Sequence, residues 1–243
     1  MHALSRKTAL VTGAARRVGR EIALTLARAG MDVAITYRAS AEAAARTVAE
    51  IEALGVRGLA VELDVRSEAS AGNAVAAVAA WSGRPGQIDV LVNNAAVFES
   101  AQLGEITLAQ WDAVFETNAR GPFLMAREAL PYLKAAQGRM VNMGSLGGSH
   151  PWATHGHYCS SKAALHMLTQ TMAKAFAPEV SVNCVAPGYI AFEPDTQAAR
   201  FAAKTPMGRN GTAQDVAEAV LFFATGPRFV TGQILTVDGG LGL

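Results

Sequence analysis

The stretch that decides the fold reads Thr12-Gly13-Ala14-Ala15-Arg16-Arg17-Val18-Gly19. It follows a short apolar run, Ala9–Val11, and leads directly into a segment with helical apolar spacing, Val18–Ala29. Gly13 permits a tight turn, the small residues after it let a ligand approach the backbone, and Gly19 allows the helix to pack closely on the strand. The free N–H groups at the start of this helix predict a binding site for a pyrophosphate.

Short apolar runs and longer helical patterns alternate along the rest of the chain. The runs rich in β-forming residues are Ala9–Val11, Val33–Tyr37, Leu59–Leu63, Val90–Val92, Met140–Met143, Val180–Val185 and Ile234–Val237. The stretches with helical spacing are Val18–Ala29, Ala41–Leu54 with Ser40 as N-cap, Ala69–Trp81, Leu108–Ala119 continuing to Lys134, Tyr158–Phe176 and Ala213–Ala224.

This alternation predicts right-handed βαβ crossovers and a parallel sheet covered by helices on both faces. The runs are continuously apolar, as expected of strands that are buried on both sides. We therefore predict an α/β fold of the Rossmann type, a single domain over residues 1–243 with a doubly wound parallel sheet of about seven strands. Ligands should bind at the carboxyl ends of the strands.

The composition excludes several classes of function. The chain has 243 residues, 51% of them hydrophobic, and a formal net charge of +1 with no basic stripe, so we expect no nucleic-acid partner. No run reaches the roughly 18 apolar residues of a membrane span. Met1–Lys7 lacks the apolar core of a signal peptide, and Cys159 and Cys184 form no disulfide framework. We expect a cytoplasmic protein that acts on a small molecule without a membrane partner.

The end of the second predicted strand indicates which dinucleotide is bound. Folds that prefer NAD place an acid there to hold the ribose 2′-hydroxyl. This chain reads Tyr37-Arg38-Ala39-Ser40 at that place, and Asp32 is at the wrong end of the strand. Arg38 and Ser40 could donate to a 2′-phosphate, and Arg17 could reach it from the turn. The alternative is that all three are ordinary solvated residues; their convergence favours NADP(H) as the cofactor.

Tyr158 and Lys162 are four residues apart in a helical pattern, and hence on one helix face. Hydride addition to a carbonyl creates an alkoxide that needs a proton, but a free tyrosine, with a pKa near 10, is a poor acid–base catalyst at neutral pH. An ammonium group beside it favours the phenolate and lowers its pKa. The pair therefore predicts a proton donor, although such spacing also occurs on ordinary surface helices.

Further polar and aromatic residues agree with this chemistry. Ser145 follows the run Met140–Met143, where its hydroxyl could hold the substrate oxygen. Asn118 could bind a water that carries protons between Lys162 and solvent; a capping or packing role fits equally well. We predict that Trp152 forms part of the wall of the substrate pocket. The histidines around it lack a nearby carboxylate or cysteine, so we expect no metal.

In order and spacing, these residues resemble the short-chain dehydrogenase/reductases over essentially the whole chain. The resemblance rests on Thr12-Gly13, Gly19, Asp64, Asn93-Asn94-Ala95, Asn118, Ser145, Tyr158, Lys162, Pro187-Gly188 and Val237-Asp238-Gly239-Gly240. It implies a nicotinamide cofactor and a catalytic tetrad. Tyr158 would be the acid, Lys162 would bind the ribose and tune Tyr158, Ser145 would orient the carbonyl, and Asn118 would complete a proton relay.

The same resemblance implies that Asp64 contacts the adenine ring and that Asn93 supports the cofactor ribose and the fourth strand. It also implies a homotetramer or a homodimer, the chain ending being similar to that of tetrameric members. The cofactor-binding residues that we predict are Gly13, Arg17, Val18, Gly19, Tyr37, Arg38, Ser40, Asp64, Val65, Asn93, Ala95, Tyr158, Lys162, Pro187, Gly188 and Ile190.

Two residues narrow the resemblance to the pteridine reductases. Arg17 stands where most of the family has glycine, and Phe98 follows Asn93-Asn94-Ala95 at the spacing of an aromatic that stacks on a pterin. Phe98 is equally consistent with a hydrophobic loop anchor. Ser145 departs from that subgroup, which often has aspartate there. The segment after Pro187-Gly188 reads Tyr189-Ile190-Ala191-Phe192 and lacks a threonine that many relatives use to hold the carboxamide. The lid between Tyr189 and Pro206 should be short and open.

We therefore predict an NADP(H)-dependent oxidoreductase that transfers a hydride between nicotinamide and a small carbonyl or imine substrate. A pteridine reductase is the first interpretation. The alternative is a 3-oxoacyl-thioester (acyl-carrier-protein) reductase or a general ketone or sugar alcohol dehydrogenase. A catalytically silent regulator is disfavoured because the Tyr158–Lys162 pair is intact. The substrate-binding residues that we predict are Phe98, Ser145, Trp152 and Tyr158.

Overall fold

A parallel sheet of seven strands forms the centre of the molecule, in a computed structural model that describes residues 7–243. The strands are β1 (Thr8–Val11), β2 (Asp32–Tyr37), β3 (Gly58–Glu62), β4 (Val90–Asn93), β5 (Arg139–Met143), β6 (Ser181–Pro187) and β7 (Ile234–Val237). Their order is β3-β2-β1-β4-β5-β6-β7. This confirms the predicted doubly wound α/β fold. The expectation about a signal peptide concerns residues 1–6, which lie outside the described residues.

The sheet changes winding direction between β1 and β4. The chain runs outward from β1 through β2 to β3 and then returns to β4 on the other side of β1, where Val11 pairs with Ile35 on β2 and with Val92 on β4. The carboxyl ends of β1 and β4 therefore flank the crevice in which ligands of such sheets bind.

Eight α-helices cover the sheet in the described part of the chain. They are α1 (Arg17–Arg28), α2 (Ala41–Ala53), α3 (Glu68–Trp81), α4 (Leu108–Phe115), α5 (Gly121–Ala136), α6 (Gly156–Phe176), α7 (Ala198–Lys204) and α8 (Ala213–Thr225). Within residues 7–243, every helix is too short or too polar to pass through a lipid bilayer.

The two faces of the sheet are buried by different helices. Alternate strand residues point to opposite sides, so Val11 packs with α1, α2 and α8, whereas its neighbour Leu10 packs with α3, α5 and α6. Both residues are fully buried. This double burial explains why the strand runs are continuously apolar rather than alternating.

The helix predicted over Leu108–Ala119 and onward to Lys134 is interrupted in the structure. Thr107 caps the start of α4 in a capping box with Gln110, and α4 ends at Phe115. Glu116–Arg120 then forms a single π-helical turn before α5 begins. Such turns are rare and frequently lie at functional sites. Helical backbone is present over the whole predicted stretch, but the apolar pattern does not reveal the extra residue that makes this turn π-helical.

The segment between Tyr189 and Pro206 contains a helix that the sequence pattern did not indicate. α7 has seven residues, too few for a clear helical period. Phe201 on this helix stacks on Tyr189, with ring centroids 3.8 Å apart. The predicted short lid is therefore partly helical and is attached to the end of β6 by an aromatic contact.

Candidate active site

The turn after β1 has the tight geometry that its glycines predict. Gly13 adopts a positive φ of 63°, and a Cβ there would lie 2.9 Å from the Ala95 Cα. At Gly19 a Cβ would lie 2.4 Å from Asn94 Nδ2 and 2.7 Å from the Gly13 carbonyl oxygen. The Asn94 amide holds the turn by donating to the carbonyl oxygens of Thr12 (2.9 Å) and Gly13 (3.1 Å). The backbone of this turn is not covered by large side chains and is held in place by hydrogen bonds, as the binding of a pyrophosphate requires.

A cavity of about 490 Å³ opens beside this turn. Ten of the predicted cofactor residues line it, namely Gly13, Arg17, Val18, Gly19, Tyr37, Arg38, Ser40, Asp64, Val65 and Ala95. The other lining residues, which the sequence interpretation missed, are Ala15, Arg16, Thr36, Leu63, Asn94, Ala96, Val97, Thr117 and Phe192. Most of the missed residues are sequence neighbours of predicted ones, so their place on the wall follows from the motifs already identified.

Arginines surround the end of the cavity near β2, and they include one, Arg16, that was not among the predicted cofactor residues. Arg16 donates to the Ser40 hydroxyl at 2.7 Å, and Arg38 is exposed on the same wall. Arg17 has a positive φ of 52° and places its guanidinium 5.5 Å from the centroid of the Phe192 ring. Arg17 and Phe192 both line the cavity, and a contact between Arg17 and a 2′-phosphate stays a prediction.

Ser40 directly precedes α2, as predicted for its N-cap, but its side chain makes no capping hydrogen bond. Its hydroxyl is instead the acceptor for Arg16. The residue is therefore part of the cavity wall rather than a helix cap. With Arg16 and Arg38, it forms a donor set of two guanidinium groups and a hydroxyl, which suits a phosphate group.

Asp64 also lines the cavity, where it is paired with Arg66. The Arg66 guanidinium donates to both carboxylate oxygens, at 2.9 Å and 2.6 Å. The hydrogen bonds from Arg66 hold the pKa of Asp64 at about 2, and the nearby charge of Arg38 acts in the same direction. The carboxylate is therefore ionised at neutral pH. A contact between Asp64 and an adenine ring stays a prediction.

Tyr158 and Lys162 lie near the start of α6, on one face, as their spacing predicts. The Lys162 ammonium is 5.8 Å from the centroid of the Tyr158 ring. It is buried and donates to the carbonyl oxygen of Met143, at the end of β5, at 2.7 Å. Ser145 is also buried, and its hydroxyl accepts from the backbone N–H of Gly147 at 3.1 Å. The three predicted catalytic side chains are thus brought together at the carboxyl end of β5.

Burial sets the protonation states of this group. It raises the pKa of the Tyr158 phenol, and a hydrogen bond with Ser145 opposes that rise. Burial also lowers the pKa of Lys162 to about 8. The pKa of Tyr158 is thus raised rather than lowered as predicted, because desolvation outweighs the opposing hydrogen bond with Ser145. Tyr158 therefore carries its proton at neutral pH and can give it to a reduced substrate.

Asn118 lies in the π-helical turn with its side chain fully buried. Its oxygen accepts from the Val97 N–H at 2.9 Å. Its amide nitrogen donates to the Val97 carbonyl oxygen at 2.9 Å and to the Ser161 hydroxyl at 3.1 Å. The side chain therefore joins the segment after β4 to α6. A water-mediated relay through Asn118 stays a prediction, while the packing role is evident.

Aromatic rings surround Tyr158. Phe98 meets it edge to face at 4.8 Å between centroids, and Trp152 lies nearly parallel to it at 6.1 Å. His155 stacks on Phe98 at 4.7 Å. Phe98 and Trp152 therefore both lie beside Tyr158, and their contact with a substrate stays a prediction. Among residues 7–243, no cluster of three or more His, Cys, Asp or Glu side chains could hold a metal ion.

Several predicted cofactor residues lie outside the cavity. Asn93 is buried and donates to the Asn142 side chain at 2.8 Å, which ties β4 to β5. Pro187 ends β6, and Gly188 packs against Asp238 so closely that a Cβ would lie 2.5 Å from the Asp238 Cβ. The others outside it are Ile190, Tyr158 and Lys162. The cavity still lies next to Tyr158. Its lining residue Val97 is followed directly by Phe98, and the Phe98 ring contacts the Tyr158 ring.

Comparison with known proteins places this geometry in a family. A family model described as enoyl-(acyl carrier protein) reductase matches residues 13–242. The 3-oxoacyl-[acyl-carrier-protein] reductase of Synechocystis sp. is 37% identical over 247 residues, which cover 99% of each chain. The chain belongs to the short-chain dehydrogenase/reductase family. As a member of this family, the protein is an oxidoreductase.

Solved structures of the short-chain dehydrogenase/reductase fold agree with the model over nearly all of the chain. A dehydrogenase/reductase from Sinorhizobium meliloti 1021 matches with a TM-score of 0.92 and 37% identity, covering 99% of this chain and 96% of that one. A blue fluorescent protein from a metagenomic library, in complex with NADPH, matches with a TM-score of 0.88 and 33% identity, covering 98% and 99%. The pteridine reductase subtype receives no support from these relatives, whereas the Synechocystis relative agrees with the alternative substrate class.

Proposed function

We propose that the protein is an NADPH-dependent reductase of 3-oxoacyl thioesters. The observation that carries this proposal is the Tyr158 phenol beside Ser145 and Lys162, next to a glycine-lined cavity that ends in arginines. A protonated acid suits reduction, in which the substrate oxygen gains a proton. The name of the Synechocystis relative supports the substrate class.

The residues of the cavity fit NADP(H). Gly13 and Gly19 let the turn pack tightly at the start of α1, because a side chain at either would collide with the surrounding protein, and the N–H groups at that helix start would bind the pyrophosphate. Arg16, Arg38 and Ser40 would hold the 2′-phosphate at the end of β2. The only acid of that strand, Asp32, is at its other end and pairs with Arg57 at 2.7 Å. When bound, the cofactor supplies the hydride.

The chain's own residues then manage the substrate oxygen and its proton. Ser145 and the Tyr158 phenol would hold the carbonyl oxygen, where negative charge develops as the carbonyl carbon is reduced. The phenol O–H bond breaks and its proton moves to that oxygen, which yields the alcohol and leaves a phenolate. The Lys162 ammonium, buried beneath the ring, stabilises this phenolate until it regains a proton from solvent.

A direct assay tests the proposal. Oxidation of NADPH is followed with an acetoacetyl thioester, a dihydropterin and a simple ketone as substrates. We expect turnover to be fastest with the thioester and to be lost in Tyr158→Phe. Activity confined to the dihydropterin or to the ketone would contradict the assigned substrate class, and turnover that survives in Tyr158→Phe would contradict the assigned acid.

Reduction of a pterin-like heterocycle is the second candidate. It is favoured by Phe98, whose side chain is 64% exposed although it contacts the Tyr158 ring. An exposed ring beside the proton donor can stack on a flat substrate. Ser145 argues against this candidate, because the pteridine reductases often have aspartate at that position.

We further propose that the protein acts in the cytoplasm as a homotetramer, or as a homodimer, without nucleic-acid or membrane partners. Large apolar side chains are exposed on α5, α6 and α8, namely Phe123, Met167 and Phe222, and such surfaces are often covered in oligomers. Both cysteines are free, which suits a reducing compartment. Light scattering coupled to size-exclusion chromatography measures the assembly, and a monomeric mass would contradict this proposal.

A further inference from the structure

A third side chain continues the line of Tyr158 and Lys162 along α6. His166 lies one turn beyond Lys162, on the same helix face, and is buried. It faces the segment 144–148, which carries Ser145 and which we call the serine loop. None of the chemistry described above uses this imidazole.

The serine loop is folded around the His166 ring. A Cβ on Gly144 would lie 2.4 Å from His166 Nε2, and a Cβ on Gly148 would lie 2.5 Å from His166 Cε1. The imidazole thus excludes side chains from both ends of the loop, and at Gly144 the Cys184 Sγ, 2.6 Å from such a Cβ, does so as well. The ring fills the interior of the loop, so the position of the Ser145 backbone depends on it.

The loop is also hydrogen bonded to the ring. The backbone N–H of Ser145 donates to His166 Nε2 at 3.5 Å, a long bond that requires the nitrogen to be an acceptor. The neutral imidazole with its proton on Nδ1 meets this requirement. Protonation would put a hydrogen on Nε2, so that two donors would face each other at the residue that holds the substrate oxygen.

Few titratable groups face this ring, and none of them favours the charged form of the imidazole. Lys162, on the same helix, is the nearest cation, and Cys184, on β6, is the titratable group nearest the ring from the sheet. Burial raises the pKa of the Cys184 thiol to about 12, so it stays uncharged. Burial and then the charge of Lys162 lower the pKa of His166. The imidazole is therefore neutral at pH 7, and the described residues of the serine loop contribute no charge.

We propose that neutral His166 is a positioning residue, which holds Ser145 in place for the reaction and releases it when the imidazole is protonated. This inference rests on the proposed function for the role of Ser145. The proposal predicts that turnover depends on pH. When the ring gains its proton at acidic pH, its contact with the serine loop is disrupted and kcat falls. Binding of NADPH is unaffected, because His166 does not line the cavity.

Three variants separate the parts of this proposal. His166→Gln keeps an acceptor of similar size that does not titrate, and His166→Leu fills the space without an acceptor. His150→Gln is the matched control, since it changes an exposed histidine close to the same loop. For each we would measure kcat between about pH 5 and 8, the range in which imidazoles titrate, together with the dissociation constant of NADPH and the thermal midpoint.

We expect His166→Leu to lose about tenfold in kcat at pH 7, the scale of one lost hydrogen bond to a buried group, with unchanged NADPH affinity. His166→Gln should keep most of kcat and lose the acid limb of the pH profile, while His150→Gln should keep that limb. An acid limb in His166→Gln equal to that of the unmutated protein would overturn the proposal. So would full activity in His166→Leu.

A spectroscopic measurement keeps the proposal testable if the substrate assignment fails. The imidazole resonance that disappears in His166→Gln can be followed by NMR as a function of pH, with no substrate present. We expect it to titrate below the ordinary pKa of about 6.5 and to shift together with the amide resonance of Ser145. Titration at the ordinary value, or without an effect on Ser145, would overturn the coupling, whereas absence of turnover alone would count only against the proposed function.

Discussion

Replacing Gly19 with alanine would put a methyl group between α1 and the turn before it. The new Cβ would lie 2.4 Å from Asn94 Nδ2, 2.7 Å from the Gly13 carbonyl oxygen and 2.9 Å from the Ala14 Cα. Two of these three atoms belong to the backbone of the turn. Neither can move aside by a side-chain rotation, so the turn and the start of α1 must separate.

The size of the effect follows from two opposing contributions. Overpacking of this kind typically costs about 1–3 kcal/mol, and backbone contacts favour the upper part of that range. Alanine returns at most about 1 kcal/mol through its helix propensity. We therefore expect Gly19→Ala to lower the free energy of unfolding by about 1–2 kcal/mol. NADPH affinity should fall at least about tenfold, or 1.4 kcal/mol, because the N–H groups that would face the pyrophosphate are displaced.

Urea unfolding and fluorescence titration with NADPH measure the two effects separately. Gly104→Ala is the matched control, because a Cβ there would meet nothing within 4 Å, and its stability should change by less than about 0.5 kcal/mol. If Gly19→Ala unfolds and binds NADPH like Gly104→Ala, the reasoning about the turn is refuted. A loss of stability without a loss of affinity would refute only the assignment of the pyrophosphate.

Three further predictions follow from particular contacts. Arg38→Asp should weaken NADPH binding by at least about tenfold and leave NADH binding nearly unchanged, since it puts an anion beside the 2′-phosphate; an equal loss for both cofactors in parallel titrations would contradict this. Thr212→Ala should lower the free energy of unfolding in urea by about 1 kcal/mol, because Thr212 and Asp215 form the capping box of α8. Unchanged stability would show that the cap contributes nothing. The folded pKa of Asp64, about 2, lies below its ordinary 3.8, so the stability from its pair with Arg66 is present above pH 3.8 and is lost as the pH falls through about 2. Acid unfolding monitored by circular dichroism should show a smaller decline over that range in Asp64→Asn, and an identical decline would count against the ion pair.

The sheet and the main motifs could be predicted because each leaves a local signal. Every predicted strand run overlaps a strand of the structure, and in the central strands burial on both faces imposes the continuous apolarity that made them recognisable. The Tyr158–Lys162 pair was predictable because helical spacing alone places the two on one face. Gly13 and Gly19 were predictable because their roles depend on the turn itself.

The features that were missed depend on contacts between distant segments. Nothing in the sequence indicates that Arg16 rather than Arg17 reaches Ser40, since that depends on where each guanidinium goes once the turn is folded. The pKa of Tyr158 was mispredicted because its burial comes from the surrounding fold, whereas the spacing to Lys162 suggested only the opposing charge. His166 carried no recognisable motif, because its contacts come from Gly144 and Gly148, which lie 22 and 18 residues earlier in the chain.

The π-helical turn at Glu116–Arg120 limits which insertions and deletions this part of the chain can tolerate. Each residue advances an α-helix by about 100°, so removing one residue from the turn would rotate all of α5 relative to α4. Either Asn118 would leave Val97, or buried residues such as Met125 would turn away from the sheet. Alignments of functional homologues should therefore contain no single-residue gaps in this turn. Insertions and deletions should instead be found in the exposed stretch around Gly104.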